Sequence, residues 1–361
     1  MRGLIPALVL ADLERRLQRE AGADARLADY FHMFAGTSTG GLVALALTAP
    51  DPAGADPARP RISAEELTRL YTEDGPAIFH RGIGQMLRSG FGWLGPKYRP
   101  TELCRAIERS LGLDVRLSDA LREVIVTAYD MAGRDPYFFK RWRAREERAK
   151  LEAAGEGSEP ERDRPIVDAG LATAAAPTYF PSHEVNGRAL VDGGVFASNP
   201  VIAAVVESLK RRFDDPRDLL PRELFVVSVG TGNHESGFEQ RRVARWGKLG
   251  WVLPQKGEPP VLTTVLGGSS DGADHWAHTL LNDPADPNVT QEDVGRGPRF
   301  FRLQVELEQA LPMDDAGSGA QAALRAAAER LISECEDALD EITRRLLAAG
   351  PIPPDPFTPP A

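Results

Sequence analysis

The sequence predicts an α/β fold in which a mostly parallel central sheet carries helices on both faces. Three observations predict it. Over Phe31–Ala44 a short apolar run, a glycine-flanked turn and an Ala/Leu/Val segment at helical spacing follow one another. Glu123–Ala128 and Leu224–Gly232 are mostly apolar, as strands covered on both faces of a parallel sheet are. Amphipathic patterns at Leu4–Leu17 and Ala320–Ala349 supply helices that would cover such a sheet.

Composition narrows the class of protein. The 361 residues suffice for one large domain or two smaller ones, and a 42% hydrophobic content suffices for a substantial core. A formal net charge of −10 argues against nucleic acid as the main partner and against constitutive adhesion to anionic membranes, although a local basic patch can overrule the average.

We see no signal peptide and no apolar run of ~18 residues. Cys104 and Cys335, both expected in the core, form no C-x-x-C motif. We therefore expect a soluble, cytoplasmic protein.

The chain opens with an amphipathic helix, in which Pro6 is tolerated in the first turn. Its apolar residues recur at three- and four-residue steps: Leu4, Ile5, Leu8, Val9, Leu13 and Leu17.

The turn after the first predicted strand has the G-x-S-x-G pattern of a nucleophile elbow. Gly36 and Gly40 lack the Cβ atoms that would clash where strand and helix approach closely. We expect Ser38 to adopt a strained backbone conformation with its hydroxyl exposed, and the N–H groups behind it, Thr39 first, to face a developing oxyanion. The pattern alone is weak, since chance produces it in roughly one chain in ten of this length. A glycine turn in an ordinary βα unit is the alternative.

Further along the chain, a Pro/Ala/Asp/Gly loop at Asp51–Pro60 precedes a capping box that begins at Ser63. His80–Pro100 is glycine-rich, basic and aromatic. It is either an irregular surface loop or a flap over a site, in which Phe91 and Trp93 would make apolar contacts. Thr101–Leu111 is predicted to be helical.

Two segments with contrasting composition follow the strand at Glu123–Ala128. Arg141–Arg164 is densely charged, which predicts a solvated helix that frays into a mobile loop without a chemical role. Asp168–Pro181 is rich in small residues, which predicts a tightly packed inner helix.

An aspartate ends the next predicted strand, Arg188–Asp192, and is followed by Gly193 and Gly194. Working residues of α/β sheets lie at such strand ends, although an Asp that accepts backbone N–H bonds in a turn is equally common. A helix is predicted at Val201–Leu209.

Basic residues are interleaved with tryptophans in Glu235–Pro260. They are Arg241, Arg242, Arg245 and Lys248, with Trp246 and Trp251. This mixture is either a charged loop with two buried tryptophans or a surface for lipid headgroups. We hypothesise that it presents the site to a lipid surface together with Phe91 and Trp93. Arg299–Leu307 alternates like a half-buried edge strand.

The C-terminal region predicts one long helix, Ala320–Ala349, with a single apolar stripe that docks either on its own body or on a partner. The stripe comprises Leu324, Ala328, Leu331, Cys335, Leu339, Ile342 and Leu346. A proline-rich tail, Pro351–Ala361, follows it.

Taken together, the motifs resemble those of the patatin-like phospholipase family in its bacterial form. The family's GTSTGG and D-G-G motifs match Gly36–Gly41 and Asp192–Gly194. The sequences RGLIP, ATAAAPTYFP and SVGTG also match, in the right order, so the likeness covers about Met1 to Met313. It implies a three-layer fold with a lipid acyl hydrolase domain at 1–313, which contains the charged insert at 141–164. An amphipathic helix at 314–349 and a tail at 350–361 complete the chain.

The resemblance implies that a Ser–Asp dyad hydrolyses carboxylic esters of phospholipids or related lipids. Ser38 would attack the ester, and Asp192 would act as the general base for both acylation and hydrolysis of the acyl-enzyme. Partial burial should raise the pKa of Asp192. We expect neither a metal nor another cofactor, and we expect a lipid substrate with transient contact at a membrane surface. The oxyanion and motif residues would be Arg2, Gly3, Gly36, Thr37, Thr39, Gly40, Gly41, Gly193 and Gly194.

One part of the family pattern is missing. The family opens with a strand and a D-G-G-G-x-R-G loop whose glycine N–H groups form the oxyanion hole, and here only Arg2 and Gly3 of that loop are present. Removal of one oxyanion donor typically lowers the rate roughly 10²–10³-fold. Because Met1 occupies the variable position of this motif, we expect the genuine product to begin upstream, with an apolar strand and Asp-Gly-Gly-Gly in frame before Met1.

Two other functions compete with this interpretation. A Ser–Asp–His triad would use His234, His275 or His278, all of which follow Asp192 in the order typical of α/β-hydrolases. Alternatively, a patatin-like fold without its oxyanion loop would be a non-catalytic binding module.

Overall fold

The computed structural model describes residues 1–54, 56–80, 95–155, 157–210, 219–234, 237–255, 259–282 and 298–353. The strands are β1 Met33–Thr37, β2 Glu123–Asp130, β3 Asp135–Lys140, β4 His183–Val185, β5 Arg188–Asp192, β6 Val226–Val229 and β7 Phe300–Leu303. The described helices of the first half are α1 Leu4–Ala21, α2 Thr39–Ala46, α3 Ala64–Leu67, α4 Arg69–Thr72, α5 Gly75–Ile78, α6 Thr101–Leu111, α7 Arg141–Ala154 and α8 Ile166–Thr173. Those of the second half are α9 Gly194–Ala197, α10 Val201–Lys210, α11 Gln240–Val243, α12 Lys248–Val252, α13 Pro260–Asn282, α14 Ser318–Glu334 and α15 Glu336–Ala349.

The register of the larger sheet brings two strand ends together. β1 pairs in parallel with β2 and places Thr37 opposite Thr127. β5 pairs antiparallel with the same edge of β2, beyond the end of β1, and places Asp192 opposite Ala128. β3 pairs with residues 125–130 along the opposite edge of β2. Thr127 and Ala128 are adjacent, so the C-terminal ends of β1 and β5 meet along one edge of β2.

The remaining strands extend this arrangement. β3 and β4 pair antiparallel with β2 and β5, whereas β6 and β7 pair in parallel and form a second sheet. β6 faces β1 across a large cavity, and the described residues place no strand between the two. The α/β class predicted from the sequence is therefore confirmed, with parallel pairing at β1–β2 and β6–β7.

Helices cover both faces of the β6–β7 sheet. Successive side chains of a strand point to opposite faces. Phe300 packs in a small apolar cluster with Val201 and Val205 of α10 and with Ala273 of α13, while the next residue, Phe301, packs in the main core. The two clusters therefore lie on opposite faces, as a sheet with helices on both sides requires.

The C-terminal segment packs on the chain's own first helix, α1. Its predicted apolar stripe is buried, with Leu324, Leu331 and Leu339 each 1% exposed or less. The prediction of a single helix is wrong, because the helix ends at Glu334 and a second begins at Glu336. Cys335 between them leaves helical geometry at φ −105° and ψ 21°. Cys335 is half-buried and packs against the main core, and Cys104 is half-buried as well.

The charged segment at 141–164 is a helix followed by a loop, as predicted, but its ends are not solvated. Arg141 is 1% exposed and pairs with Glu123 on β2. Asp163 is equally buried and accepts hydrogen bonds from the backbone N–H and the hydroxyl of Ser118. The ion pair of Arg141 and the hydrogen bonds of Asp163 attach the segment to the rest of the protein.

No described helix is both long enough and apolar enough to cross a bilayer.

Candidate active site

Ser38 lies at a sharp turn between β1 and α2 and has φ 56° and ψ −127°. A residue with a Cβ rarely adopts this conformation, which costs of order 1–3 kcal/mol. The turn is possible because the backbone of β1 touches that of α2: a Cβ at Gly36 would lie 2.0 Å from the Gly40 carbonyl oxygen. The strained serine that the sequence predicted is therefore confirmed, and its side chain is half-buried rather than covered.

The glycines of the turn differ in whether a close contact requires them. A Cβ at Gly40 would meet nothing within 4 Å, so the prediction that Gly40 prevents a clash is wrong. The close contact instead involves Gly41, whose Cβ would lie 2.7 Å from Thr173 Cγ2 and 3.1 Å from Val126 Cγ1. Gly36 and Gly41 thus allow the helix to approach the sheet, and Gly40 faces open space.

Asp192 ends β5 and is 6% exposed. One carboxylate oxygen accepts the Gly194 N–H at 2.8 Å, and the Asp192 N–H donates to the Ala175 carbonyl at 3.0 Å. Burial raises the pKa of the Asp192 carboxyl to about 6, although hydrogen bonds from the Ser38 hydroxyl and the Gly194 N–H act in the opposite direction. The structure therefore brings Ser38 and Asp192 together.

A pair of threonines holds the ends of β1 and β5 in place. The Thr37 hydroxyl donates to the Ala197 carbonyl at 2.6 Å, and its oxygen lies 2.7 Å from the Thr127 hydroxyl. A Cβ at Gly193 would lie 2.1 Å from Thr127 Oγ1, so only glycine lets the Asp192 turn pass over β2. Thr37 and Gly193 therefore position the two turns.

Two hydroxyl residues at the site were missed by the sequence analysis. Thr173, the last residue of α8, accepts the Ser38 N–H on its hydroxyl oxygen at 2.8 Å. Tyr71 of α4 lies with its hydroxyl 2.7 Å from that of Thr39, and burial raises its pKa to about 12. A single hydroxyl within the run of small residues at 172–176 was the available signal for Thr173. Nothing local to the sequence marked Tyr71.

Arg2 and Gly3 lie beside the turn. The Arg2 guanidinium donates to the Leu311 carbonyl at 2.6 and 3.2 Å and so fixes the chain after β7. A Cβ at Gly3 would lie 2.0 Å from Thr39 Oγ1 and 2.5 Å from the Tyr71 ring. Gly3 therefore permits the N-terminal chain to approach the first residue of α2.

The first turn of α2 offers unpaired donors next to Ser38. The N–H groups of Gly41 and Leu42 both donate to the Ser38 carbonyl, at 2.9 and 3.2 Å. Those of Thr39 and Gly40 donate to no residue in the described part of the chain. The N-terminus of a helix carries a partial positive charge, so these two N–H groups can stabilise an anion beside Ser38.

The site opens into a cavity of about 1710 Å³ that lies between β1 and β6. Ser38 and Asp192 both line it, and apolar side chains such as Leu70, Phe79 and Phe180 form much of the wall. A cavity of this kind can enclose a long apolar chain while its ester lies at the polar end.

The other predicted site residues have varied locations. All six histidines lie in the described segments, and none is bonded to Ser38 or Asp192; His234, for example, bonds to the Leu307 carbonyl at 2.9 Å. Trp246 is half-buried against Phe238 and Trp251, with ring centroids 4.8 and 5.3 Å apart, so neither tryptophan of this pair is a core residue. Phe91 and Trp93 lie outside the described residues. No group of three His, Cys, Asp or Glu side chains in the described segments is arranged to hold a metal.

Comparison with known proteins places this site in a family. The family model for patatin-like phospholipase matches residues 1–205, which include both strand ends. Patatin-like protein 2 of Arabidopsis thaliana is 36% identical over 294 residues, covering 76% of this chain and 68% of that protein. Patatin-like protein 1 of Oryza sativa subsp. indica is 32% identical over 381 residues, covering 92% and 87%. Patatin-01 of Solanum tuberosum is 34% identical over 303 residues, covering 78% and 70%.

These relatives are plant proteins, so the bacterial form expected from the sequence stays a prediction. The resemblance itself is confirmed by a match that spans the serine turn, the aspartate turn and the strands between them. The chain belongs to the patatin-like phospholipase family, and this membership implies lipid acyl hydrolase activity.

Proposed function

We propose that the chain is a serine lipid acyl hydrolase that cleaves carboxylic esters through a Ser38–Asp192 dyad and an acyl-enzyme. The observation that supports this most strongly is the contact between a strained, half-buried serine and a buried aspartate whose pKa is raised to about 6. A carboxylate with a pKa near 6 is ionised at neutral pH and is a better proton acceptor than an ordinary aspartate.

In the first half-reaction, Ser38 Oγ attacks the ester carbonyl carbon and its proton passes to Asp192. The carbonyl oxygen becomes an oxyanion, which the free N–H groups of Thr39 and Gly40 can stabilise. The tetrahedral intermediate then breaks its bond to the alcohol, which leaves with the proton held by Asp192. Ser38 keeps the acyl group.

In the second half-reaction, Asp192 accepts a proton from water as the water attacks the acyl carbon. The intermediate expels Ser38 Oγ, which takes the proton back, and the fatty acid leaves. Both halves need Asp192 ionised at their start, so one carboxylate serves as base twice.

The cavity supports a lipid substrate. Its apolar walls suit an acyl chain, and its volume exceeds the 300–1,000 Å³ typical of small-ligand sites. We therefore propose esters of phospholipids or related lipids, with an activity of the phospholipase A or lysophospholipase type.

The two alternative functions have less support. A Ser–Asp–His triad needs a histidine on the serine or the aspartate, and neither side chain bonds to one. A binding module would have no need of a strained serine or a buried carboxylate, each of which lowers stability.

The test is hydrolysis of a soluble short-chain ester and of phospholipid by wild type, Ser38→Ala, Asp192→Asn and the double variant. We expect each single change to lower kcat/KM by at least ~10³-fold, and the double change to cost little more, because the two residues act as one unit. The wild-type kcat/KM should fall as the pH drops through about 6, where Asp192 takes up a proton. Ser333→Ala and Asp337→Asn, on exposed faces of α14 and α15, are matched controls.

Covalent labelling separates the alternatives. A fluorophosphonate should label wild type at Ser38, and absence of labelling would favour the binding module. Substantial ester hydrolysis by Asp192→Asn, with loss in a variant of His234, His275 or His278, would favour the triad.

A further inference from the structure

One region of the surface is unusually apolar. Eight of the twelve large apolar side chains that the described part of the chain leaves exposed lie between Leu249 and Leu280. Leu249 is 71% exposed and Val252 is 53% exposed, on α12, while Val261 and Val265 of α13 are both more than 40% exposed. α12 packs on α13, so these side chains belong to one surface. Contiguous exposed apolar area of this kind marks a site of interaction.

The same region carries unpaired positive charge. Arg241, Arg242, Arg245 and Lys248 are all exposed, and none forms an ion pair with a described residue. Glu239 is the sole acidic residue between 237 and 255. In a chain with a formal net charge of −10, this is a local reversal of sign. We call these four basic residues, together with Leu249, Trp251, Val252, Leu253, Val261 and Val265, the basic apolar surface.

Helix α13 connects the basic apolar surface to the active site. Val261 and Val265 are exposed, whereas their neighbours Leu262 and Leu266 line the cavity that contains Ser38. A Cβ at Gly194 would lie 2.9 Å from Leu266 Cδ2, so α13 packs directly on the turn that holds Asp192. One face of a single helix thus meets solvent while the other face forms a wall of the site.

The connection is reinforced by hydrogen bonds one turn further along α13. The Ser269 hydroxyl donates to the Phe196 carbonyl at 3.0 Å, and its oxygen accepts the Ser198 N–H at 3.1 Å. Both partners lie on or next to α9, which directly follows Asp192. The outward face of α13 is therefore held at a fixed position relative to the dyad.

We propose that the basic apolar surface docks the protein on a bilayer that contains anionic lipids. Arginine and lysine would contact the headgroups, while Leu249, Trp251 and Val252 enter the boundary between headgroups and acyl chains, as interfacial helices do. Docking here brings the bilayer to the outer side of the helix that lines the cavity. This role rests on the proposed lipid substrate.

The test is co-sedimentation with vesicles of phosphatidylcholine alone or with 30 mol% phosphatidylglycerol, with all proteins in the Ser38→Ala background so that the bilayer is not hydrolysed. One basic residue near an anionic surface accounts for roughly a fivefold change in partitioning. The triple variant Arg241→Ala/Arg242→Ala/Arg245→Ala should therefore bind anionic vesicles about 100-fold more weakly at low salt. Leu249→Ser/Val252→Ser should bind both kinds of vesicle more weakly, because the apolar contact does not depend on lipid charge.

Matched controls use exposed residues elsewhere. Arg19→Ala/Arg162→Ala/Arg325→Ala removes equal charge, and Leu113→Ser/Met131→Ser removes equally exposed apolar side chains. Both should bind like the parent. Equal loss in the controls, unchanged binding in the surface variants, or absence of parent binding to anionic vesicles would each overturn the proposal.

Hydrolysis of a soluble short-chain ester, measured with Ser38 restored, distinguishes docking from chemistry. The surface variants should retain it within about twofold and lose activity on vesicles. Vesicle binding without any ester hydrolysis would leave the docking role standing and overturn the proposed function. Normal hydrolysis of both substrates by the surface variants would overturn the docking role and leave the proposed function standing.

Discussion

The reactive side chains at the ends of β1 and β5 each carry an energetic cost, and the two costs differ in kind. At the end of β1 the cost is conformational, since Ser38 adopts φ 56°, a value that L-residues avoid. At the end of β5 the backbone is relaxed, with Gly193 at φ −65°, and the cost is electrostatic, since Asp192 is buried and its pKa is raised to about 6.

This difference shows how the fold divides the demands of one reaction. The nucleophile needs access and an orientation beside the helix N-terminus, and a strained turn supplies both. The base needs a raised pKa, and burial supplies it. The cost of strain does not depend on pH, whereas the cost of burying a carboxylate does, so the two can be measured separately.

The largest effect is expected at the backbone contact that makes the serine turn possible. Gly36→Ala should lower the free energy of unfolding by more than ~4 kcal/mol, because its Cβ would overlap the Gly40 carbonyl and neither backbone can move freely. Gly40→Ala is the matched control, and helix propensity should make it neutral or stabilising by ~0.5–1 kcal/mol. Urea denaturation followed by circular dichroism measures both. Equal effects of the two changes would contradict the contact.

The next effect concerns the buried base. The folded protein holds the Asp192 proton more tightly than an unfolded chain, whose carboxyl has a pKa near 3.8. Ionised Asp192 therefore destabilises the fold, with no effect below pH 4 and the full effect above pH 6. Asp192→Asn should stabilise the protein by up to roughly 3 kcal/mol at pH 8, at about 1.4 kcal/mol per pKa unit.

The pH dependence is the control for this change. The stability difference between Asp192→Asn and wild type should shrink to zero as the pH falls from 6 to 4. A stability difference that stays constant over this range would show that the effect of the substitution arises from packing rather than from charge.

The smallest effect measures the strain at Ser38. Both Ser38→Ala and Ser38→Gly remove the nucleophile, but only glycine adopts positive φ without strain. The glycine variant should be the more stable of the two by ~1 kcal/mol, since its greater unfolded-state entropy offsets part of the relief. This difference should be the same at pH 4 and pH 8. Equal stability of the two variants would show that the turn stores no strain.

Local sequence patterns located most of what the site needs. The apolar run before Gly36 and the small residues after Thr39 predicted β1 and α2, and the glycines around Ser38 predicted its unusual backbone. RALVD before Gly193 predicted β5 and left Asp192 at its end. These predictions succeeded because strand burial, helix spacing and glycine conformation depend on residues close together in the chain.

Helix α13 shows where such patterns fail. The segment 260–282 contains three glycines, two serines and three threonines, all weak helix formers, and we did not predict a helix there. It is helical because Ala273, Ala277 and Leu281, spaced four residues apart, are buried against other elements. The apolar stripe likewise gave no sign that α14 ends at Glu334, because it continues past Cys335 without interruption.

By itself, the sequence determined which side chains could carry the chemistry and where each lies relative to its own strand or helix. The tertiary structure decided that Ser38 meets Asp192, because this depends on how β1 and β5 pair end to end along one edge of β2. It also decided that the carboxylate is buried enough to raise its pKa, that Thr173 receives the Ser38 N–H, and that α13 joins an exposed surface to the cavity. Each of these is a contact between residues far apart in the chain, and local periodicity carries no information about such contacts.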